Sequence, residues 1–206
     1  MNLKLTNIEK AVQIIQKGGG VVVYPTETFY GLGVNALNPR AVERLFKIKK
    51  RPSSKPISII IPNINWLKYL IKKVPPIAQT LIEKHWPGPL TIIFAAKDIL
   101  PKELTADTGK IGIRISSHPM AQKLAQLAET PITATSANLS GMPPPNSPQE
   151  IHPQIKKQID AILDGGFTKG GLPSTVIDVT VNPPIILRKG AIKVDQFGLD
   201  KNENKA

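Results

Sequence analysis

Three basic residues close to a single proline are the first candidates for binding chemistry in this sequence. Lys49 and Arg51 stand two positions apart, directly before Pro52, and Lys55 follows shortly afterwards. Proline disfavours helical geometry at the residue before it, so we expect an extended chain in which Lys49 and Arg51 point the same way. An arginine fork beside lysine point charges is suited to binding a polyphosphate. The alternative is a solvated loop that binds nothing.

A second group of basic residues lies on the helix predicted just before that proline. Asn38 is followed by proline, which predicts a helix start, and the helix is expected to end near Lys49. Arg40, Arg44 and Lys47 recur at helical spacing, opposite the apolar face of this helix. We interpret these three side chains as a solvated face that takes no part in binding.

Hydroxyl and amide side chains are concentrated in short segments next to predicted strands. The segment PTETFY at 25–30 follows an apolar run at 21–24, and loops at the ends of buried strands are frequent ligand sites in α/β sheets. The segments at 133–141, 171–175 and 187–190 raise the same question. Their side chains can bind phosphate or sugar oxygens, but the same residue types also form ordinary turns. Both interpretations stay open from composition alone.

Several common chemistries are disfavoured by what the sequence lacks. It contains no cysteine and only three scattered histidines, which argues against thiolate chemistry and against a local metal motif. The string GLGVNA at 31–36 is similar to a dinucleotide-binding fingerprint, but it lies too far from its strand and no acidic residue follows at the required distance. We therefore interpret Gly31 and Gly33 as turn residues. The sequence contains no P-loop motif.

The chain as a whole is basic and has the composition of a folded domain. Its 206 residues include 27 Lys and Arg against 15 Asp and Glu, a formal charge of +12, which attracts anions such as nucleotides or RNA. The first 55 residues hold ten of the bases and only three acids, Glu9, Glu27 and Glu43. No apolar run approaches the roughly 18–20 residues of a membrane span. We expect a cytoplasmic protein without a membrane partner.

Apolar runs and amphipathic segments alternate along the chain. The predicted strands cover 21–24, 57–61, 90–95, 111–115, 132–134, 174–179 and 185–188. The predicted helices cover a first segment that starts from a capping box at Thr6 and Glu9, then 38–49, 66–72, 77–85, 119–128 and 148–158. This alternation predicts an α/β or α+β layered domain that takes up the whole of 1–206, with a largely buried sheet and a frayed tail at 199–206.

Seven strings of the sequence occur in the order in which one known family has its motifs. They are PTETFYGLG (25–33), KIKKRPSSKPI (47–57), HWPGPLT (85–91), IGIRIS (111–116), TSANLSG (135–141), GLPSTVID (171–178) and ILRKGAI (186–192). The ordered set, which spans about 8–192, resembles the short, single-domain form of the YrdC-like family, the threonylcarbamoyladenylate synthases of tRNA modification. The resemblance implies a twisted mixed sheet flanked by helices around a basic concave cavity.

The resemblance also implies an activity and a set of site residues. The reaction is the formation of threonylcarbamoyl-AMP and pyrophosphate from L-threonine, bicarbonate and ATP, with Mg²⁺ accompanying ATP, by a nucleotidyltransferase whose product goes to a tRNA threonylcarbamoyl transferase complex. The implied residues are Lys49 and Arg51 for catalysis, Arg51, Lys55, Ser136, Asn138 and Arg188 for ATP, and Thr28, Arg114 and Ser174 for threonine. No protein ligand for a metal is expected. Ile60 stands where the longer forms are expected to carry a polar residue.

Two other functions are consistent with the sequence. The first is a non-enzymatic RNA-binding module for tRNA or double-stranded RNA, although an aromatic content of 5% leaves few side chains for base stacking. The second is a related carbamoyl-adenylate-forming enzyme with another acceptor, similar to the YrdC-like domain of the much longer hydrogenase maturation proteins. The S-A-N string at 136–138 and the K-x-R string at 49–51 favour the synthase over a functionally less defined branch of the family.

Overall fold

The computed structural model describes residues 4–194. The helices of this part of the chain are α1 (Ile8–Gln16), α2 (Pro39–Lys49), α3 (Leu67–Leu70), α4 (Pro76–His85), α5 (Lys102–Thr105), α6 (Pro119–Ala128) and α7 (Pro153–Gln158). The strands are β1 (Leu5–Thr6), β2 (Val22–Pro25), β3 (Tyr30–Gly33), β4 (Ile59–Ile60), β5 (Leu90–Ala95), β6 (Lys110–Arg114), β7 (Ile132–Thr133), β8 (Thr135–Ser136), β9 (Ala161–Leu163), β10 (Thr175–Asp178) and β11 (Ile185–Arg188). The predicted α/β class is confirmed, and the predicted tail at 199–206 lies outside the described residues. No helix between residues 4 and 194 has the length and apolar character needed to cross a membrane.

Two mixed sheets, where one was expected, form the scaffold. The strand order is β1-β9-β2-β3-β8 in the first sheet and β11-β10-β5-β6-β4-β7 in the second. In the first sheet β9 is inserted between β1 and β2 and runs parallel to both, while β2 and β3 form an antiparallel pair. In the second sheet β5 pairs antiparallel with β6 and parallel with β10. Both sheets therefore depend on pairing between distant parts of the chain.

The chain passes from the second sheet to the first at a single residue. Only Ala134 separates β7 from β8. The buried Thr133 hydroxyl donates to Leu32 O at 2.9 Å and accepts from the N–H of Val34 at 3.1 Å. The hydroxyl of Tyr24 donates to Thr133 O at 2.8 Å. These hydrogen bonds fix the position of the crossing segment against β2 and β3, and thereby the position of the loop that follows β8.

Strand β2 is buried on both faces, as its unbroken apolar run predicts. Val22 and Tyr24 pack on one side with apolar residues of α1 and α6. Val23 packs on the other side into the larger core cluster, which includes Leu45 of α2 and Ile113 of β6. Burying each large apolar side chain contributes about 1.5–3 kcal/mol. The loop that follows β2 is thus supported by a rigid strand.

Two helix starts test the capping predictions. Asn38 caps α2 as predicted, with its side chain accepting a hydrogen bond from the first turn. The capping box at Thr6 is wrong, because Asn7 is the N-cap of α1 and accepts from the N–H of Lys10 at 3.0 Å. Thr6 instead belongs to β1, where it pairs with Leu163. Sheet pairing with a strand more than 150 positions away has overridden the local signal.

Gly31 and Gly33 lie inside β3 and not in a turn, which corrects the interpretation of the GLGVNA string. A Cβ atom at Gly33 would stand 2.8 Å from Cε1 of Tyr24, closer than carbon atoms approach one another. At Gly31 it would meet both the Tyr24 ring and the backbone oxygen of Thr135 at 3.4 Å. Glycine is needed at position 33, because the Tyr24 ring that reaches Thr133 lies across the strand there, whereas the 3.4 Å approaches at position 31 are ordinary van der Waals contacts.

Candidate functional site

Lys49 is the last residue of α2, and it is only 1% exposed. Its ammonium group donates to Ser136 O, to Asn138 O at 2.8 Å and to Asn138 Oδ1 at 3.2 Å. Burial, and then the charge of Arg51, lowers the pKa of Lys49 to about 7. The three partners are neutral oxygen atoms, which favour the protonated form but do not neutralise it. An anion bound nearby would offset the cost of burying this charge.

The loop that follows β8 is built around the Lys49 ammonium group. Within it, Ser136 Oγ donates to Asn138 Oδ1 at 2.5 Å, and Asn138 Nδ2 donates to Met142 O. The backbone oxygen of Lys49 also accepts from the N–H of Ser140 at 3.0 Å. Ser136 and Asn138 are both partly exposed. The lysine therefore holds the loop through its backbone and its side chain, and the loop presents a hydroxyl and an amide next to the buried cation.

The geometry that joins Lys49 to Arg51 differs from the extended chain expected. Lys50 between them is left-handed, with φ 49° and ψ 43°, and forms the C-cap of α2. The prediction that strand-like alternation aligns the two side chains is therefore wrong. Arg51 Nε donates to Lys55 O at 3.0 Å and Nη2 donates to Pro56 O at 2.8 Å, which closes a compact loop. The side chain of Lys55 is exposed, and burial lowers the pKa of Arg51.

A buried ion pair lies at the end of β6. The side chains of Arg114 and Glu27 are 7% and 11% exposed, and Arg114 Nη1 donates to Glu27 Oε1. The other carboxylate oxygen of Glu27 accepts from the hydroxyl of Ser116. Ser116 Oγ in turn accepts from the backbone N–H of His118 at 3.2 Å, at the N-cap of α6. One chain of hydrogen bonds thus runs from the start of α6 to the guanidinium group.

Arg188 is the last residue of β11, and its side chain contacts the residue that precedes β10. Its Nε donates to Ser174 O and its Nη2 donates to Ser174 Oγ, both at 2.9 Å. The hydroxyls of Ser174 and Thr91 are 2.9 Å apart. A residue predicted to bind ATP and one predicted to bind threonine are therefore in direct contact.

Four basic groups of these segments lie in one region of the molecule: Lys49 and Arg114 are buried, Arg51 is partly exposed and Arg188 is exposed. The charge of Arg51 contributes to lowering the pKa of Lys49. Burial lowers the pKa of Arg188, and the charges of Arg114 and Arg51 lower it further. Of these four cations, Arg114 alone has a carboxylate among its hydrogen-bond partners within residues 4–194. The region carries an excess of positive charge on fixed donors, as binding of a polyanion requires.

Thr28 lies in the loop between β2 and β3, next to the ion pair. Its hydroxyl is buried and stands 3.1 Å from the hydroxyl of Thr26. Its backbone oxygen accepts from the N–H of Gly170 at 2.8 Å. The hydroxyl of Tyr30 donates to Gly166 O at 2.7 Å. The segment that contains Gly166 and Gly170 is thereby held against the loop between β2 and β3. Nothing in the sequence indicated this contact.

Arg44 has a structural role in place of the solvated one predicted for it. Its guanidinium donates to Asp160 Oδ2 at 2.6 Å and to Gln158 O at 2.7 Å, which ties α2 to the end of α7 and to the residue before β9. The prediction failed because the acceptors lie far away in the sequence. Lys47 does lie on the surface as predicted, and it pairs with Glu43 of the same helix at 2.6 Å.

Glu27 and Ser116 are site residues that sequence analysis missed. Glu27 is the one acid of the PTETFYGLG string, and Ser116 ends the IGIRIS string. Their place in two of the family strings was a signal that they belong to the site. The spacing, however, does not show that the two residues meet across 89 positions. Ile60, in contrast, is fully buried in β4 and pairs with Arg114 of β6. It contributes shape and no polar contact to the region.

Two cavities lie apart from the site residues. One of about 530 Å³ is lined by residues from 73–77, 94–95 and 179–184. The other, of about 670 Å³, is lined mainly by residues from 64–74 and 79–83. Neither is lined by a predicted site residue, so the candidate site is identified by its charges and hydrogen bonds and not by cavity size.

Comparison with known proteins connects this geometry to a family. The sequence model of the Sua5, YciO and YrdC family, described as "Telomere recombination", matches residues 13–190. The chain belongs to this family. The match covers every residue predicted for the site.

Two relatives in the family show how the lengths compare. A threonylcarbamoyl-AMP synthase from Pyrococcus abyssi is 41% identical over 179 residues, which are 87% of this chain and 53% of that protein. A threonylcarbamoyl-AMP synthase from Photobacterium profundum is 36% identical over 188 residues, which are 90% of this chain and 100% of that protein. The chain spans about half the length of the Pyrococcus relative and of a Bacillus subtilis synthase.

Solved structures of family members share the fold. Pyrococcus abyssi Sua5 complexed with L-threonine superposes with a TM-score of 0.86 at 42% identity, over 89% of this chain and 54% of that one. Escherichia coli YciO superposes with a TM-score of 0.82 at 34% identity, over 92% of each chain. The two-sheet architecture is thus that of the Sua5, YciO and YrdC family.

Proposed function

We propose that the chain is a threonylcarbamoyl-AMP synthase, a nucleotidyltransferase that uses L-threonine, bicarbonate and ATP. The observation that carries the proposal is the meeting of Lys49, Arg51, Arg114 and Arg188 beside loops rich in hydroxyl groups. This arrangement supports binding of a polyphosphate next to a small molecule with a carboxylate. The relatives named above, and a family neighbour that binds L-threonine, support the same assignment.

In this proposal the nucleotide is bound by residues from three segments. Lys49, Arg51 and Lys55 take the phosphates, and their charges neutralise the negative charge that builds up as pyrophosphate leaves. Ser136 and Asn138 contribute a hydroxyl and an amide from the loop after β8. Arg188 binds the nucleotide from the second sheet. Catalysis then rests on positioning and electrostatic stabilisation, without a covalent intermediate on the protein.

The threonine is bound by Arg114, Thr28 and Ser174. Arg114 takes the carboxylate through the edge of its guanidinium that Glu27 does not occupy. Thr28 and Ser174 are buried, and the hydroxyl of Ser174 contacts Arg188; in this proposal both hydroxyls hydrogen-bond the threonine.

The chemistry suits a site with many cations and no dedicated nucleophile. The amine of threonine combines with bicarbonate to give a carbamate and water. A carbamate oxygen attacks the α-phosphorus of ATP, a phosphorus–oxygen bond forms, and the bond between the α- and β-phosphates breaks to release pyrophosphate. The protein's task is to bring two anions, the carbamate and the triphosphate, into contact, which the excess of positive charge favours.

Mg²⁺ fits this site as a companion of ATP. Within residues 4–194 no group of three or more His, Asp or Glu side chains could hold a metal ion, and both oxygens of Glu27 are already engaged. We therefore propose that the ion is held by the phosphate oxygens and water, as Mg²⁺ commonly is in nucleotide sites. When bound it would neutralise part of the phosphate charge.

We also propose a place for the product. By the resemblance to the synthases of tRNA modification, threonylcarbamoyl-AMP would be consumed in the cytoplasm by a tRNA threonylcarbamoyl transferase complex. Direct binding of tRNA to the basic surface stays a prediction of the charge alone. Such binding would weaken steeply with salt, because phosphate contacts release counterions.

The test is to incubate the purified protein with ATP, Mg²⁺, labelled bicarbonate and each amino acid in turn. Pyrophosphate and a labelled carbamoyl-AMP should appear only when threonine and bicarbonate are both present. Equal ATP turnover without threonine would contradict the proposal. A product with a different amino acid would favour a related carbamoyl-adenylate enzyme with another acceptor.

A further inference from the structure

The carboxylate of Glu27 lies inside the candidate site, yet the proposed reaction gives it no direct part. Its side chain is 11% exposed, and each of its two oxygens accepts one hydrogen bond, from Arg114 and from Ser116. A buried carboxylate is costly to maintain unless it is paired. We therefore ask what the carboxylate of Glu27 does to its partners Arg114 and Ser116.

Arg114 is bound by the protein on one side only. Within residues 4–194 all its side-chain hydrogen bonds are made by Nη1, to Glu27. A guanidinium has five N–H donors in a fixed plane, so Nε and Nη2 retain donors for a carboxylate bound side by side. Glu27 therefore occupies one part of the guanidinium and leaves the other for a ligand.

Glu27 is itself held from the opposite direction. Ser116 is fully buried, donates to the carboxylate, and accepts from the N–H of His118 at the start of α6. Arginine has a long side chain with many rotamers, and fixing it before the substrate arrives removes an entropic cost from binding. The chain of contacts from α6 through Ser116 and Glu27 provides such a constraint.

We propose that Glu27 is a positioning residue for Arg114: with Ser116 it holds the guanidinium in the orientation that binds the carboxylate of threonine. This inference rests on the proposed function. The opposite role would be that of an internal competitor, in which Glu27 occupies the place of the substrate carboxylate and is displaced on binding. The two roles predict opposite changes in the affinity for threonine when Glu27 is altered.

The experiment compares Glu27→Gln with the matched control Glu43→Gln. Both substitutions remove one negative charge, but Glu43 is exposed on α2 and, within residues 4–194, its carboxylate pairs only with Lys47. We expect Glu27→Gln to raise KM for threonine by about tenfold to hundredfold, as misalignment of a binding group commonly does, with KM for ATP nearly unchanged. Glu43→Gln should leave both values as in the wild type.

A second measurement separates positioning from a merely structural role. L-threoninamide lacks the carboxylate, so the wild-type protein should use threonine far better than the amide. Glu27→Gln should reduce this preference, and Glu27→Asp, which keeps the charge on a shorter side chain, should recover part of it. A residue that only supports the fold would lower activity on the two substrates equally.

Ser116→Ala keeps the ion pair and removes only its support, so it decides the question if Glu27→Gln fails to fold. It should raise KM for threonine by a smaller factor in the same direction. A lower KM for threonine in either variant would identify Glu27 as a competitor, and an unchanged preference for threonine over the amide would show a structural role; both results overturn the inference. Absence of threonine-dependent pyrophosphate release from the wild-type protein would instead overturn the proposed function.

Discussion

The regions around Lys49 and Arg114 each bury a positive charge, but they stabilise it in different ways. Lys49 is surrounded by two carbonyl oxygens and one amide oxygen, all neutral. Arg114 is paired with the carboxylate of Glu27. In the first region the charge of Lys49 has no carboxylate partner, and burial disfavours the protonated form of the side chain. In the second region the charge is neutralised, and the orientation of the group is fixed.

The difference indicates what each region does. An uncompensated cation in a buried place interacts strongly with an incoming anion, because little solvent screens the two charges. Lys49 is therefore suited to stabilising charge on a triphosphate. A cation that is already paired with a carboxylate interacts less strongly with a second anion. Such a cation contributes mainly through the fixed direction of its remaining hydrogen-bond donors. Arg114 is therefore suited to selecting a carboxylate by shape.

Removal of the uncompensated charge should have the largest effect. Lys49→Met keeps most of the side-chain volume, and it should lower kcat/KM for ATP by about 30-fold to 1,000-fold, or roughly 2–4 kcal/mol of transition-state stabilisation. Arg51→Ala should cost a similar amount. Pyrophosphate release at saturating threonine measures the loss.

The control is Lys47→Met, the same substitution two positions earlier on the exposed face of α2. Lys47 is paired with Glu43 at the surface, so its loss should change kcat/KM by less than about threefold. Equal losses in the two variants would show that the basic cluster acts as a diffuse field, and the contrast between the regions would have to be withdrawn.

A change of pH should act on the region around Lys49. Burial lowers the pKa of Lys49 to about 7 in the free protein, so raising the pH through 7 removes the charge that is proposed to bind phosphate. ATP affinity measured without threonine should then fall by up to about tenfold per pH unit, which corresponds to about 1.4 kcal/mol. The comparison is Lys49→Arg, whose guanidinium stays charged. Its ATP affinity should not fall in this way, and identical pH profiles for the two proteins would disprove the assignment.

Arg44, which pairs with Asp160 near the surface, is a third cation to compare with Lys49 and Arg114. Its contacts with Asp160 and Gln158 are partly exposed, so Arg44→Ala should lower the free energy of unfolding by about 1 kcal/mol. That loss corresponds to about 2–4 °C in Tm for a domain of this size. Activity should stay within about threefold of wild type. The control is Arg40→Ala, one turn earlier on the same helix and exposed, which should leave Tm almost unchanged. A loss of kcat/KM of more than threefold in Arg44→Ala would show that the site extends to this face of α2.

Local signals in the sequence predicted many elements well. Proline after His118 and the apolar period that follows place α6 at 119–128, as observed. The run at 90–95 forms β5 with the same bounds. Strands β3 and β8 were missed, because one contains two glycines and the other consists of Thr135 and Ser136. Such residues form strands only when a neighbouring strand supplies the hydrogen bonds.

The candidate site was predicted residue by residue but not as an arrangement. The resemblance gave Lys49 and Arg114, yet it could not show that each meets its partner across 87 positions. The proline argument correctly marked the end of α2, but it could not foresee the left-handed conformation of Lys50. Contacts of this kind depend on how the two sheets are placed, and that placement has no local signature.

The insertion of β9 between β1 and β2 limits when the protein can fold during synthesis. Leu5 pairs with Ile162 and Val22 pairs with Ala161, so the first sheet lacks an internal strand until that late segment has left the ribosome. Pairing across such distances is slow, and the early apolar strands stay exposed meanwhile. A nascent chain that ends before Ala161 already contains Lys49, yet it would have no finished sheet to hold the loops around it. The nucleotide binding proposed for this site would therefore begin only after β9 has been synthesised and has paired with β1 and β2.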